Sequence, residues 1–187
     1  MSRFVALLRG VNVGNAKRLP MAEFRACLQA LGFTQVATLL NSGNAVFSGA
    51  AGEKARYAAS IHEQLHQRLG LQVPVLVPSE SDFVASIKQF DAECRQRGVK
   101  VEDPSRLLFA FVVDAKADLD LEALEHKCVG AEQVWRGKYS LYCHCPAGIA
   151  DSKLAESLLD YRRYPITSRN LKTVMKLREL LTKDGGS

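Results

Sequence analysis

The residues best suited to chemistry come early: Arg9, Gly10, Asn12, Gly14, Lys17 and Arg18 crowd one short stretch between an apolar run and an amphipathic one. Glycines let a backbone approach a ligand closely, amides at the start of a following helix favour negative charge, and the three cations add charge-assisted hydrogen bonds to phosphate or carboxylate. The stretch is not a Walker loop, which needs Gly-Lys-Ser/Thr, nor a dinucleotide fingerprint, which needs a third glycine. The same residues would also build an ordinary turn with Arg9 in a structural salt bridge, and both readings stay open. Asn41, Ser42 and Asn44 around Gly43 form a second polar group, of types that satisfy turn geometry unaided and that could also face a ligand. Arg169 and Asn170 form a third, following Thr167 or Ser168 as a helix N-cap, where amides could hold an anion or simply be capped.

Two other patterns imitate metal sites. His62-Glu-Gln-Leu-His66 matches the H-E-x-x-H zinc motif of a hydrolase, yet the third ligand would have to be Glu80, beyond a proline-containing strand. Cys143-His-Cys145 places two thiols on one face of a strand, with His126 and Cys128 as further candidates, and buried inert thiols account for it as well. No metal, cofactor or catalytic constellation follows from these residues; Glu23 and Asp151 are isolated carboxylates.

The elements that must position these groups can be read from periodicity. Phe4 to Leu8 is a buried strand. A helix starts by Pro20 and presents Met21, Phe24, Cys27, Leu28 and Leu31 until Gly32. Val36 to Leu40 and Ala45 to Ser48 make a hairpin; residues 53 to 69 make a helix with Ala58, Ile61, Leu65 and Leu69 on one face, closed by Gly70; Gln72 to Val77 is another strand. A short helix at 82–89 and a polar linker at 91–105 follow. The order then restarts with a strand at 107–113, a helix at 118–127, a hairpin at 133–143, a helix at 151–161, a short strand at 165–167 and a terminal helix at 170–182. The pattern predicts α+β architecture: two ferredoxin-like β-α-β-β-α-β subdomains, 1–79 and 106–187, with an added C-terminal helix and a helix-and-linker segment, 80–105, between them. In such a unit the first strand-to-helix loop and the hairpin turn share one end, so Arg9 to Arg18 and Asn41 to Asn44 are expected to be neighbours.

Composition sets the class. The chain has 187 residues, 47% hydrophobic, enough for one full core or two small ones. Its longest apolar run, Leu107 to Val113, is too short to span a bilayer, and five scattered cysteines suit a reducing compartment, so a cytoplasmic location is expected. The formal charge is +5, and the segment Lys153 to Lys183 carries eight basic against three acidic residues. Such a block can attract phosphate-bearing partners or solvate the outer face of amphipathic helices.

The motifs LLRGVNVG (7–14), RLPMAEFR (18–25), ALGF (30–33), NSGNAVF (41–47), SKL (152–154) and TSRNLKTVMKL (167–177) together resemble the domain-of-unknown-function 1697 family. The resemblance implies a bacterial, cytoplasmic protein with two ferredoxin-like subdomains and no established activity. Leu171 stands where such proteins often carry an aromatic, so no stacking role carries over to it. The leading expectation is a protein that binds a phosphate-bearing ligand, nucleotide or nucleic acid, through the Arg9–Arg18 loop and the Asn41–Asn44 turn. An enzyme acting on a small anionic metabolite between the subdomains is the alternative, followed by a zinc hydrolase or a protein-interaction module. Neither a membrane partner nor a particular oligomeric state is implied.

Overall fold

The computed structural model describes residues 1–12, 18–113 and 117–183. By contact the chain divides into two units, Met1–Phe83 with the chain from Lys176 onward, and Val84–Met175.

In the first unit the order is β1 (Ser2–Leu8), α1 (Met21–Ala30), β2 (Thr34–Leu39), β3 (Asn44–Gly49), α2 (Lys54–Leu69) and β4 (Val75–Leu76). The strands lie in the order β2-β3-β1-β4, every neighbouring pair antiparallel. Alternate residues of the central strands, Phe4, Ala6, Leu8, Ala45 and Phe47, form a core with Phe24, Cys27 and Leu28 of α1 and Tyr57, Ile61 and Leu65 of α2. Four of its rings interlock: Phe33 and Phe47 stack at 4.3 Å, and Tyr57 meets Phe4 edge-on at 5.2 Å. Full burial of a side chain of this size stabilises by about 1.5–3 kcal/mol. Val5 and Leu7 point the other way and are also buried, which is why β1 reads as a continuous apolar run. β4 keeps only two of the six expected residues, because Pro74 and Pro78 flank it and cannot donate to a ladder.

In the second unit β5 (Leu107–Val112), α4 (Leu121–Glu125), β6 (Gln133–Arg136), β7 (Ser140–His144), α5 (Lys153–Ser157) and β8 (Ile166–Asn170) repeat the pattern. The strand order is β6-β7-β5-β8, again antiparallel. One face packs Leu108, Ala110, Leu141 and Cys143 against Leu124 of α4 and Leu154 of α5. α4 and α5 are each about one turn, shorter than the sequence suggests. The molecule is thus α+β, with two four-stranded antiparallel sheets and their helices.

The expected linker is corrected by α3 (Glu80–Arg97). Its polar second half, Asp91 to Arg97, consists largely of good helix formers, and Gly98 in a left-handed conformation ends it. Phe90 lies 4.9 Å from Phe109 and 5.2 Å from Tyr142, the Tyr142 hydroxyl donates to Ser86 O at 3.1 Å, and the Arg97 guanidinium sits 5.6 Å over Trp135. Tertiary packing on the second face of the sheet therefore carries the helix past the point where its apolar periodicity fades. The terminal helix α6 (Leu171–Lys183) begins in the second unit and ends in the first, where Leu180 O accepts a bond from Arg3 at 3.0 Å.

Candidate functional site

β1 delivers the chain to Arg9 at the end of the sheet where the β2–β3 turn also lies. The Leu8 amide donates to Gly43 O at 2.9 Å and the Arg9 amide to Pro74 O at 3.0 Å, so the loop leaves the strand pinned on both sides. Gly10 turns through φ 67° and Asn12 through φ 55°. Asn12 then joins the pieces: its Nδ2 donates to Leu19 O at 2.8 Å and Asn41 O at 2.7 Å, while its Oδ1 accepts from Leu19 N at 2.8 Å. The expected proximity of loop and turn is present, and this carboxamide supplies it.

Gly43 has to be glycine. Its φ is 69°, and a Cβ there would lie 2.7 Å from both Leu8 Cβ and Val11 Cγ2. The buried Asn44 uses Nδ2 to hold Leu39 O at 3.2 Å and Ser42 Oγ at 2.8 Å, shaping the turn from inside. Asn12, Asn44 and Ser42 thus have scaffold roles that the sequence left undecided. Gly10, Arg18, Leu40 and Asn41 are exposed on the joined surface, Leu40 at 50% with φ 55°. Gly14 and Lys17 lie outside the described residues.

Two arginines that the sequence did not single out belong to the same end of the first unit. Arg25 of α1 donates to Thr38 Oγ1, near the close of β2, at 3.2 Å. Arg68, at the end of α2, lies 3.5 Å from Glu23 in the first turn of α1. Only topology places them there: Arg25 closes the RLPMAEFR motif, whose spacing says nothing of β2, and Arg68 sits in a helix without a local motif.

The Arg169 group differs from expectation. Thr167, Ser168, Arg169 and Asn170 belong to β8, and the helix starts at Leu171 with Asn170 as its cap, Oδ1 accepting from Thr173 N at 2.9 Å. Pairing of Thr167 with Phe111 and Ser168 with Ala110 draws both hydroxyl residues into the sheet, so neither caps the helix. Arg169 donates to Thr167 Oγ1 at 3.1 Å and Ser168 O at 2.7 Å. Although the residue keeps some exposure, burial of its guanidinium lowers its pKa to about 10, which leaves it cationic at neutral pH.

The metal-like patterns are engaged otherwise, the histidines in hydrogen bonds and the strand cysteines in the core. His62 Nδ1 lies 2.7 Å from Val73 O, and His66 Nε2 lies 3.2 Å from the Gln72 amide. Among the described residues no third ligating side chain joins them, nor do Cys128, Cys143 and Cys145 form a metal-holding group. Burial raises the pKa of Cys143 and Cys145, keeping both as thiols, and lowers that of His144.

No helix of the described chain is long and apolar enough to cross a membrane. Among curated proteins none matches the chain. Among solved structures, a conserved bacterial protein, SP0830 from Streptococcus pneumoniae, is similar over 97% of this chain and 99% of its own, with 25% identity and a TM-score of 0.74. The family model described as "Protein of unknown function (DUF1697)" matches residues 1–142, which include the loop, the staple and the turn, and the chain belongs to that family.

Proposed function

We propose that the end of the first unit formed by the Arg9–Arg18 loop and the Asn41–Asn44 turn binds a phosphate-bearing ligand. The observation that carries this reading is the Asn12 staple: two hydrogen bonds to Leu19 close the loop on itself and a third, to Asn41 O, joins it to the turn, with Arg18 and Asn41 exposed on the joined surface. A surface held in advance loses little entropy when a ligand arrives. Arg9 and Arg18 supply charge, Gly10 supplies close backbone approach and Asn41 a carboxamide, while Ser42 and Asn44 support the turn beneath; the sequence adds Gly14 and Lys17, which lie outside the described residues. Arg169 is a second cationic position in the same reading, beside Asn170, whose Oδ1 caps α6. The strand orders in both units favour a ferredoxin-like assignment for each, in a cytoplasmic bacterial protein.

Thermal-shift titration with inorganic phosphate, pyrophosphate and nucleoside triphosphates tests the reading. A ligand that binds the folded state at 100 times its Kd adds about 2.7 kcal/mol of stability. We expect a saturable rise in melting temperature that Arg18→Ala reduces; a melting temperature unmoved by every phosphate compound removes the proposal.

A further inference from the structure

We infer that β2 is a self-pairing edge through which two copies of this chain associate, joining the sheets of their first units about a two-fold axis at Ala37. Hydrogen-bond parity gives the first argument. Successive residues of an antiparallel strand turn their N–H and C=O groups alternately to one side and the other. The Leu8 amide donates to Gly43 O, which makes Leu8 and Gly43 a hydrogen-bonded pair, and the β1–β3 register makes Ala6–Ala45 and Phe4–Phe47 the next ones. Asn44 and Val46 therefore bond to β2, where they face Leu39 and Ala37. Val36 and Thr38 are left with both backbone groups turned outward from an edge strand, and among the described residues neither meets a backbone partner there.

A second copy satisfies all of these groups in a single register. With the axis at Ala37, Val36 stands opposite Thr38 of the second copy and Thr38 opposite its Val36, so each outward N–H meets an outward C=O. An axis at Val36 or at Thr38 would pair that residue alone, and an axis between residues would set outward groups against inward ones. Ala37 then faces Ala37 of the second copy as a non-hydrogen-bonded pair, whose Cα atoms approach to about 4.5 Å, and a small side chain fits there. Val36 and Thr38, β-branched and only partly buried, pair across the strands beside it. Charge gives the last argument. Edges are usually guarded by charge, proline or brevity: β4 is two residues long between Pro74 and Pro78, and β6 ends in Arg136 with the Val134 amide directed at the Cys128 thiol. From Thr34 to Asn41 there is neither charge nor proline, so no like charges meet when this edge is laid against itself. The bulge between Thr34 and Ala37, with Gln35 at φ 48°, shortens the open edge to Val36–Leu39 without covering it. Arg25 on Thr38 Oγ1 and Arg3 on Gln35 Oε1 approach through side chains, which project to the faces of a sheet and not along its edge. The edge is thus its own complement in hydrogen bonding, size and charge, as a closed two-fold pair requires.

Sedimentation velocity of the full chain from about 1 μM to about 1 mM, in phosphate-free buffer, is combined with amide hydrogen exchange read by NMR at about 50 μM and about 1 mM. We expect a monomer–dimer equilibrium. The Val36 and Thr38 amides should exchange about two- to fourfold more slowly at the higher concentration, as the monomer fraction falls by mass action, whereas those of Ala37 and Leu39, already bonded to β3, should change less. Thr38→Pro removes an outward donor and no ladder bond, and should weaken the dimer at least about tenfold while the melting temperature of the dilute protein holds. Ala37→Lys, which sets two like charges opposite each other at the axis, should do the same and serves if the proline variant does not fold. A monomer throughout the concentration range overturns the inference. So does a dimer that persists in the folded variants, or one whose Val36 and Thr38 amides exchange equally fast at both concentrations, since either places the interface elsewhere.

Discussion

Asn12 and Gly43 show how much of a surface can depend on two small residues. Gly43→Ala has to force a Cβ against Leu8 and Val11 at a positive φ, and we expect urea denaturation to show a loss of about 2–4 kcal/mol. Asn12→Gly removes the staple without straining the backbone and should cost about 1–3 kcal/mol, since Leu19 N and two carbonyls lose their partner. Asn12→Ala adds the left-handed penalty of about 1–2 kcal/mol on top; equal stability of the two variants would show that φ 55° at this position is not strained. The sequence pointed to Asn12 and Asn44 without separating ligand-facing from scaffold roles. An asparagine's composition and spacing are the same whether its carboxamide faces a ligand or a neighbouring carbonyl. Gly43 was legible as a turn residue, but the contact that forbids a side chain there is made across the fold with β1.

At the scale of elements, the central strands, the first two helices and both hairpins were legible because their apolar spacing is set by local geometry. The failures have specific causes. α3 outran its apolar period because Phe90 and Arg97 are rewarded by Trp135 and Tyr142, distant in sequence. Phe90→Ala should therefore cost about 3–5 kcal/mol in the second unit, as expected of a buried ring and not of a linker residue. The terminal helix starts within a residue of its expected place, but its cap is Asn170 and not Thr167 or Ser168: all three are good N-caps by type, and strand pairing alone decides between them. Asn170→Ala should cost about 1 kcal/mol through the lost cap, whereas Ser168→Ala should stay within about 0.5 kcal/mol. The reverse order in chemical denaturation would return the cap to the earlier position.

For the molecule as a whole, acid sensitivity should come in two stages. Burial holds His144 neutral with its pKa below the ordinary 6.5, so its contribution is complete above that pH and is lost as pH falls through the lower folded value. Three aspartates act further down, each with its pKa depressed below 3.8. Asp120 is lowered by the Ala123 amide and then Arg163, and Asp103 by the hydroxyl and amide of Ser105. For Asp82, burial works in the opposite direction and is outweighed by hydrogen bonds from Lys54 and Ser79. Their contribution is present above pH 3.8 and is lost as pH falls through the depressed values. Melting temperatures from pH 8 to pH 2 should fall first below about 6.5 and again below about 4. His144→Gln should remove only the first fall; if that fall persists in the variant, His144 is not its source.

Trp135, in contact with Phe90 and Arg97 of α3, is the one tryptophan of the sequence, while Tyr57 is the sole tyrosine of the first unit. Intrinsic emission excited at the indole band therefore watches Val84–Met175 alone, whereas far-ultraviolet dichroism watches both sheets and their helices. The separation between those two melting curves measures whether the units unfold together, with no label added to either.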